Sequence, residues 1–277
     1  MPELPESPFA RASSVARIDS DPDAGTALYR ADIPDGWQQG RGAFGGLVLA
    51  TLLRAIERAE PDRTRVARTL AGDLAGPVQP GGAELRVRRL RRGSNQSNIA
   101  AELAQGGEVL ATATAILSAP RPVVAPRFVP PAPPSETPPW QELAAVPMGP
   151  PMAPTFAAHY EYRVVAGVPF AGGREAICEG YVRERTPPPR YDAPAIIGLL
   201  DAWWPTLFSI DEKPRPLGTI GFTAQILADP ASLPVEEPLR YRARMEALGD
   251  GFFVELRELW SGGRPVAMNQ QTFAIIK

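Results

Sequence analysis

Residues 36–60 read GWQQGRGAFGGLVLATLLRAIERAE, and their reading decides the fold. Five glycines fall between Gly36 and Gly46, so this stretch is a turn-rich loop. From Leu47 onward apolar residues occupy nearly every position, and the segment turns polar only near its end, with Arg54, Glu57 and Arg58. That pattern predicts a long, buried helix opened by Gly45 and Gly46. Before the loop stands the strand-like ALYRADI (27–33). After the helix come TLAGDLAGPVQ (69–79), ELRVRRLRRG (84–93), SNIAAELAQ (97–105) and VLATATAILSA (109–119). These are alternating or β-rich segments separated by glycine and proline turns. A helix followed by such a meander must bury its apolar stripe against the sheet, which gives a sheet wrapped round a central helix.

The same order returns downstream. HYEYRVVAG (159–167) and EAICEGYVRER (175–185) precede a helix over APAIIGLLDAWWPTLF (193–208), introduced by Asp192. GTIGFTAQILAD (218–229), LRYRARMEALG (239–249), FFVELRELWSG (252–262) and PVAMNQQTFAII (265–276) complete the half. Thr69 matches Thr219, Leu85 matches Leu239, and the Gly106-Gly107 turn matches Gly262-Gly263, at an offset of roughly 150 that drifts by a few residues. Loop insertions in a duplicated unit produce such a drift. Between the halves, from Pro120 to Pro154, proline recurs every few residues, which excludes helix interior and central strand. The expected organisation is an N-terminal unit over 1–119, a proline-rich linker over 120–154 and a C-terminal unit over 155–277.

Composition narrows the function. Apolar residues at 44% and charged residues at 22% suit a packed globular protein. A net charge of -2 exerts no pull on nucleic acid or anionic lipid. No apolar run is long enough to span a bilayer and the N-terminus has no signal-peptide pattern, so a cytoplasmic location is expected. One cysteine, Cys178, forms no intrachain disulfide, and with one histidine, His159, no Cys/His metal cluster can be built. Both read as structural residues, Cys178 on a buried strand. No G-x-S-x-G elbow, dinucleotide fingerprint or P-loop is present.

GWQQGRGAFGGLVLATLLRA (36–55), GLLDAWWP (198–205) and QQTFAII (270–276) together resemble the hotdog thioesterases, specifically the duplicated thioesterase II-like (TesB-like) acyl-CoA hydrolases. The resemblance covers most of the chain. It implies an α+β double hotdog fold and hydrolysis of an acyl-CoA thioester to free acid and CoA. No cofactor is implied beyond the coenzyme A of the substrate, and fatty acid metabolism is the implied context. No nucleic acid or membrane partner is implied, and a homo-oligomer, dimer or higher, is compatible with it.

Thioester hydrolysis passes through an oxyanion that needs preorganised donors. The amides of Gly45 and Gly46, where loop becomes helix, can supply them, although paired glycines also permit tight helix–sheet packing. A carboxylate is needed as base or nucleophile. Single-hotdog relatives resembling the phenylacetate-pathway thioesterases carry it about two turns into the helix. In the first helix that position is Leu53; in the second it is Asp201, whereas the opening at Ala193-Pro194 has no glycine pair. Each half keeps what the other lost, so a composite site of Gly46 and Asp201 is expected. The alternative for Asp201 is a helix-end acid paired with a surface arginine.

In thioesterase II the set resembles an Asp, a Thr and a Gln. Segment matching puts its Asp near Gly221 and its Thr near Met245, leaving only Gln271 in place, with Thr219 and Thr223 as weaker candidates. Trp37, Phe44, Trp203 and Trp204 are candidates for an acyl pocket or for core. Arg89 and Arg92, in the run from Arg86, are candidates for the CoA phosphates or for a charged strand edge. The competing functions are a catalytically inert acyl-CoA-binding protein and a hydratase using His159.

Overall fold

A computed structural model describes residues 6–121 and 137–276. Its first half runs α1 (Pro8–Ala12), β1 (Ala16–Asp21), β2 (Thr26–Ile33), the short pair β3 (Gln38–Gln39) and β4 (Gly42–Ala43), then α2 (Gly45–Ala59). Four strands follow: β5 (Val66–Leu74), β6 (Gly81–Arg92), β7 (Gln96–Gln105) and β8 (Glu108–Ser118). The second half runs β9 (Tyr160–Ala166), β10 (Ile177–Glu184), α3 (Ala193–Asp201) and α4 (Leu207–Ile210). It ends with β11 (Leu217–Ile226), β12 (Leu239–Gly249), β13 (Phe252–Ser261) and β14 (Arg264–Ile275).

Twelve strands form one antiparallel sheet, ordered β1-β2-β6-β7-β8-β5-β11-β14-β13-β12-β10-β9. The seam between the halves is β5 against β11, with Ala71 opposite Thr223. Outward from this seam, β5, β8, β7, β6 and β2 on one side mirror β11, β14, β13, β12 and β10 on the other. Each sheet half curls over its own helix, α2 or α3, and the two helices pack on each other. This is the double hotdog.

Hydrogen-bond register defines which residues are equivalent. Ile99 faces Ala115 as Glu255 faces Gln271, and Ala101 faces Ala113 as Arg257 faces Asn269. In β5 a bulge separates Ala67 from Thr69; in β11 one separates Thr219 from Gly221. Leu70 then faces Ala115 as Phe222 faces Gln271, and Ala67 faces Leu117 as Thr219 faces Phe273. Thr219 is therefore equivalent to Ala67, not to Thr69, and Leu85 to Tyr241, not to Leu239, since Leu85 faces Leu103 as Tyr241 faces Leu259. Matching by residue type is two positions out at both sites: from Leu239 to Tyr241 the shift preserves strand face and leaves the alternation unchanged, whereas from Thr69 to Ala67 it crosses the bulge and reverses the face.

Helix α2 begins where the glycines end, and its residues from Gly45 to Leu53 are all buried. Helix α3 is capped by Asp192, whose carboxylate accepts from Ala195 N at 2.8 Å, and a 2.8 Å ion pair from Arg54 ties that cap to α2. The predicted second helix is cut short. It ends at Asp201, and only a four-residue helix resumes at Leu207. Pro205 lacks an N–H and disfavours helical backbone in the residue before it, which breaks the run. Helix α1 and strand β1 precede the first element expected from the sequence. Of the proline-rich linker, 122–136 lie outside the described residues. The described part that follows lies along β9: Val146 bridges to Tyr162, and the Arg163 guanidinium rests over the Trp140 ring.

Candidate active site

The turn at the end of α3 places Asp201 against the opening of α2. Its side chain is only 6% exposed. A Cβ added to Gly45 would lie 3.0 Å from Asp201 Oδ2, and one added to Gly46 would lie 3.0 Å from Asp201 Cβ and 2.5 Å from Phe44 Cζ. Only glycine admits the carboxylate here. The opening of α2 therefore lies beside the acid, and the Gly46 N–H favours its ionised form.

Gln271 on β14 completes the arrangement. Its Nε2 donates to Asp201 Oδ1 at 2.8 Å and to Thr219 Oγ1 at 2.7 Å, which uses both amide hydrogens. Gln271 is fully buried, and among the described residues no side chain or backbone group donates to its Oε1. Thr219 faces inward because of the β11 bulge: in a regular strand it would face opposite to Phe222, three residues on. An Asp, a Thr and a Gln thus stand together as Asp201, Thr219 and Gln271. Gly221 and Met245, the positions matched by segment, are not part of this trio. Gly221 has no side chain to offer, and Met245 packs beside the Leu207–Phe253–Phe273 cluster.

Burial pushes the Asp201 carboxyl above its usual value, opposed first by Arg257 and then by the hydrogen bonds from Gln271 and Gly46. Arg257 is itself buried and lies 3.4 Å from Asp201 Oδ1. The arginine partner is therefore an internal one, not the surface arginine considered from sequence. Neither Arg257 nor Glu255 stood out in the sequence, although Phe253, Glu255, Arg257 and Leu259 are in phase along one strand face. Two charges within an apolar alternation were the available signal.

The other candidates lie elsewhere. Phe44 stacks on Phe156 at 4.1 Å and touches the Gly46 position. Trp37 stacks on His159 at 3.9 Å, while His159 Nε2 meets Gly36 O at 3.1 Å. Trp203 stacks on Tyr241, and Trp204 donates to Gly167 O, so both are committed to packing. Thr223 is exposed on the outer face. Arg92 pairs with Glu60 and Arg89 bonds Pro22 O, at the far end of α2 from Gly45. The fifteen residues of α2 separate them from Asp201 by about 20 Å. Cys178 is a buried strand residue. Among the described residues no group of three or more His, Cys, Asp or Glu is arranged to hold a metal, and no helix is long and apolar enough to cross a membrane.

Residues 33–118 match the acyl-CoA thioesterase N-terminal domain, and residues 129–275 match the C-terminal domain. The chain belongs to the acyl-CoA thioesterase family. Among solved structures, it is similar to a conserved hot dog fold protein of unknown function from Alicyclobacillus acidocaldarius (24% identity, 97% of this chain and 98% of that one, TM-score 0.84). It is also similar to an acyl-CoA thioesterase II from Mycobacterium marinum (16% identity, 97% and 96% coverage, TM-score 0.72). A tesB protein from Mycobacterium avium subs paratuberculosis aligns comparably (13% identity, 97% and 98%, TM-score 0.73). At these identities the structural likeness establishes the hotdog fold. No curated protein matches the chain.

Proposed function

We propose that this thioesterase-family chain hydrolyses an acyl-CoA to free acid and CoA, with Asp201 as the base that activates water. The observation that carries this reading is the hydrogen-bonded trio Asp201–Gln271–Thr219 set against the N-terminus of α2. Asp201 takes a proton from a water that Thr219 Oγ and Gln271 Oε1 orient. The resulting hydroxide attacks the thioester carbon, the C–S bond breaks, and the proton returns to the departing CoA sulfur. Protonation of Asp201 weakens its hold on the Gly46 N–H, which frees that amide for the oxyanion forming at the same moment. The step needs no metal or organic cofactor.

In this reading the carboxylate stays within the α2–α3 contact throughout, and the polar trio occurs once per chain. The equivalents of Asp201, Thr219 and Gln271 in the first half are Leu53, Ala67 and Ala115, all buried and apolar. Thiol release from a panel of acyl-CoAs is the test: activity is expected from the native chain, and Asp201→Asn should lower turnover by a factor of about 10² to 10⁴ while the fold is kept. Binding of acyl-CoA with no thiol released would favour an inert binding protein instead.

A further inference from the structure

We propose that Arg257, clamped by Glu255, is a positioning residue that aims and supports the Asp201 carboxylate. This rests on Asp201 being the reacting acid. Asp201 is the last residue of α3, where unpaired carbonyls make the helix end negative, so an ionised acid there is doubly disfavoured by burial and by dipole. Arg257 Nη1 meets both sources of negative charge, the Leu200 carbonyl at 3.1 Å and Asp201 Oδ1 at 3.4 Å.

The rest of the guanidinium is held elsewhere. Its Nε and Nη2 lie 2.7 and 2.5 Å from Glu255 Oε1, and its cationic carbon sits 5.4 Å over the Phe273 ring. Glu255 Oε2 in turn accepts from the Thr206 N–H and hydroxyl. Arg257 thus gives Asp201 a fixed positive charge through one long contact, and the bidentate grip that would immobilise the acid is spent on Glu255. Tyr160 and Tyr162 from β9 and Tyr241 from β12 complete the set of titratable groups facing Asp201.

The first half shows that the fold does not require this pair. Register makes Arg257 equivalent to Ala101 and Glu255 equivalent to Ile99, both buried. A buried ion pair is seldom better for stability than apolar residues of suitable shape. The pair occurs only in the half that carries Asp201, which ties it to that acid.

The decisive variant gives the second half the first half's residues, Arg257→Ala with Glu255→Ile, alongside Arg257→Lys. The double variant should fold, and the acid limb of its kcat/KM profile should move to higher pH by about one unit or more, a tenfold loss of rate below both midpoints. Arg257→Lys should restore much of that displacement. An unmoved limb with unchanged turnover in the folded double variant overturns the proposal, provided Asp201→Asn is inactive in parallel. If Asp201→Asn turns over normally, both this proposal and the reading beneath it fall.

Discussion

Asp201 Oδ1 and Gln271 Nε2 lie 2.8 Å apart, joining the last residue of α3 to the middle of β14. This bond leaves Asp201 in the form that accepts hydrogen bonds, although burial favours the neutral acid. The acid limb of the rate profile reports the balance. The proposed mechanism requires ionised Asp201, so kcat/KM should rise with pH through a midpoint above the usual carboxylate value near 4, and steady-state kinetics from pH 4 to 8 would locate it.

Gly46→Ala should damage fold and activity together. The added methyl would meet Phe44 Cζ at 2.5 Å, and Phe44 is pinned by its stack on Phe156. Overpacking of this kind costs about 1–3 kcal/mol, measurable by urea denaturation. Unchanged stability would mean that the α2 opening is looser than described.

Thr219→Val keeps the shape and removes the hydroxyl. Gln271 Nε2 then loses one acceptor in a buried setting, so turnover should fall by roughly tenfold, in line with one unsatisfied hydrogen-bonding group. Thermal unfolding should show the fold intact. A larger fall in stability than in rate would argue that the hydroxyl serves packing.

Part of this site was legible from sequence and part was not. The Gly45-Gly46 opening stood out because a glycine pair ahead of an apolar run has few other uses, and Asp201 stood out as an acid among apolar helix residues. Thr219 was harder to place because the bulge at its shoulder breaks the two-residue alternation by which facing is judged. Arg257 and Glu255 were hidden because Val254 and Leu256 suggest the opposite face as the core side of β13, and only pairing with β14 shows which face is inner. The wide separation of Arg89 and Arg92 from Asp201 depends on the length and direction of α2, which charge spacing along a strand does not encode.

Glu184 supplies a second, independent pH effect. It is buried beside Tyr191 and Asp192, and burial pushes its carboxyl up to about 7. The native state then holds a proton that the unfolded chain releases near pH 4.3, so stability is full below that value and declines until about pH 7. The loss is up to about 4 kcal/mol. Melting temperatures across pH 4 to 8 should show this slope, to which Glu57, also pushed up to about 7 by burial, adds, and Glu184→Gln should reduce it.

His159→Ala should leave turnover unchanged. The ring stacks on Trp37 and bonds Gly36, so its removal should cost about 1 kcal/mol of stability through lost aromatic packing. A collapse of activity with retained fold would point to histidine-based chemistry.

Covalent fusion of the two halves alters how mutations enter the molecule. In a symmetric pair of identical subunits every substitution appears twice, so a buried Arg–Glu pair would burden both copies. Here Ala101 and Ile99 stand where Arg257 and Glu255 stand in the other half, and the polypeptide carries that burden once. On the proposed site, the stoichiometric corollary is a single saturable centre per polypeptide, where a symmetric pair of identical subunits of the same shape would present two.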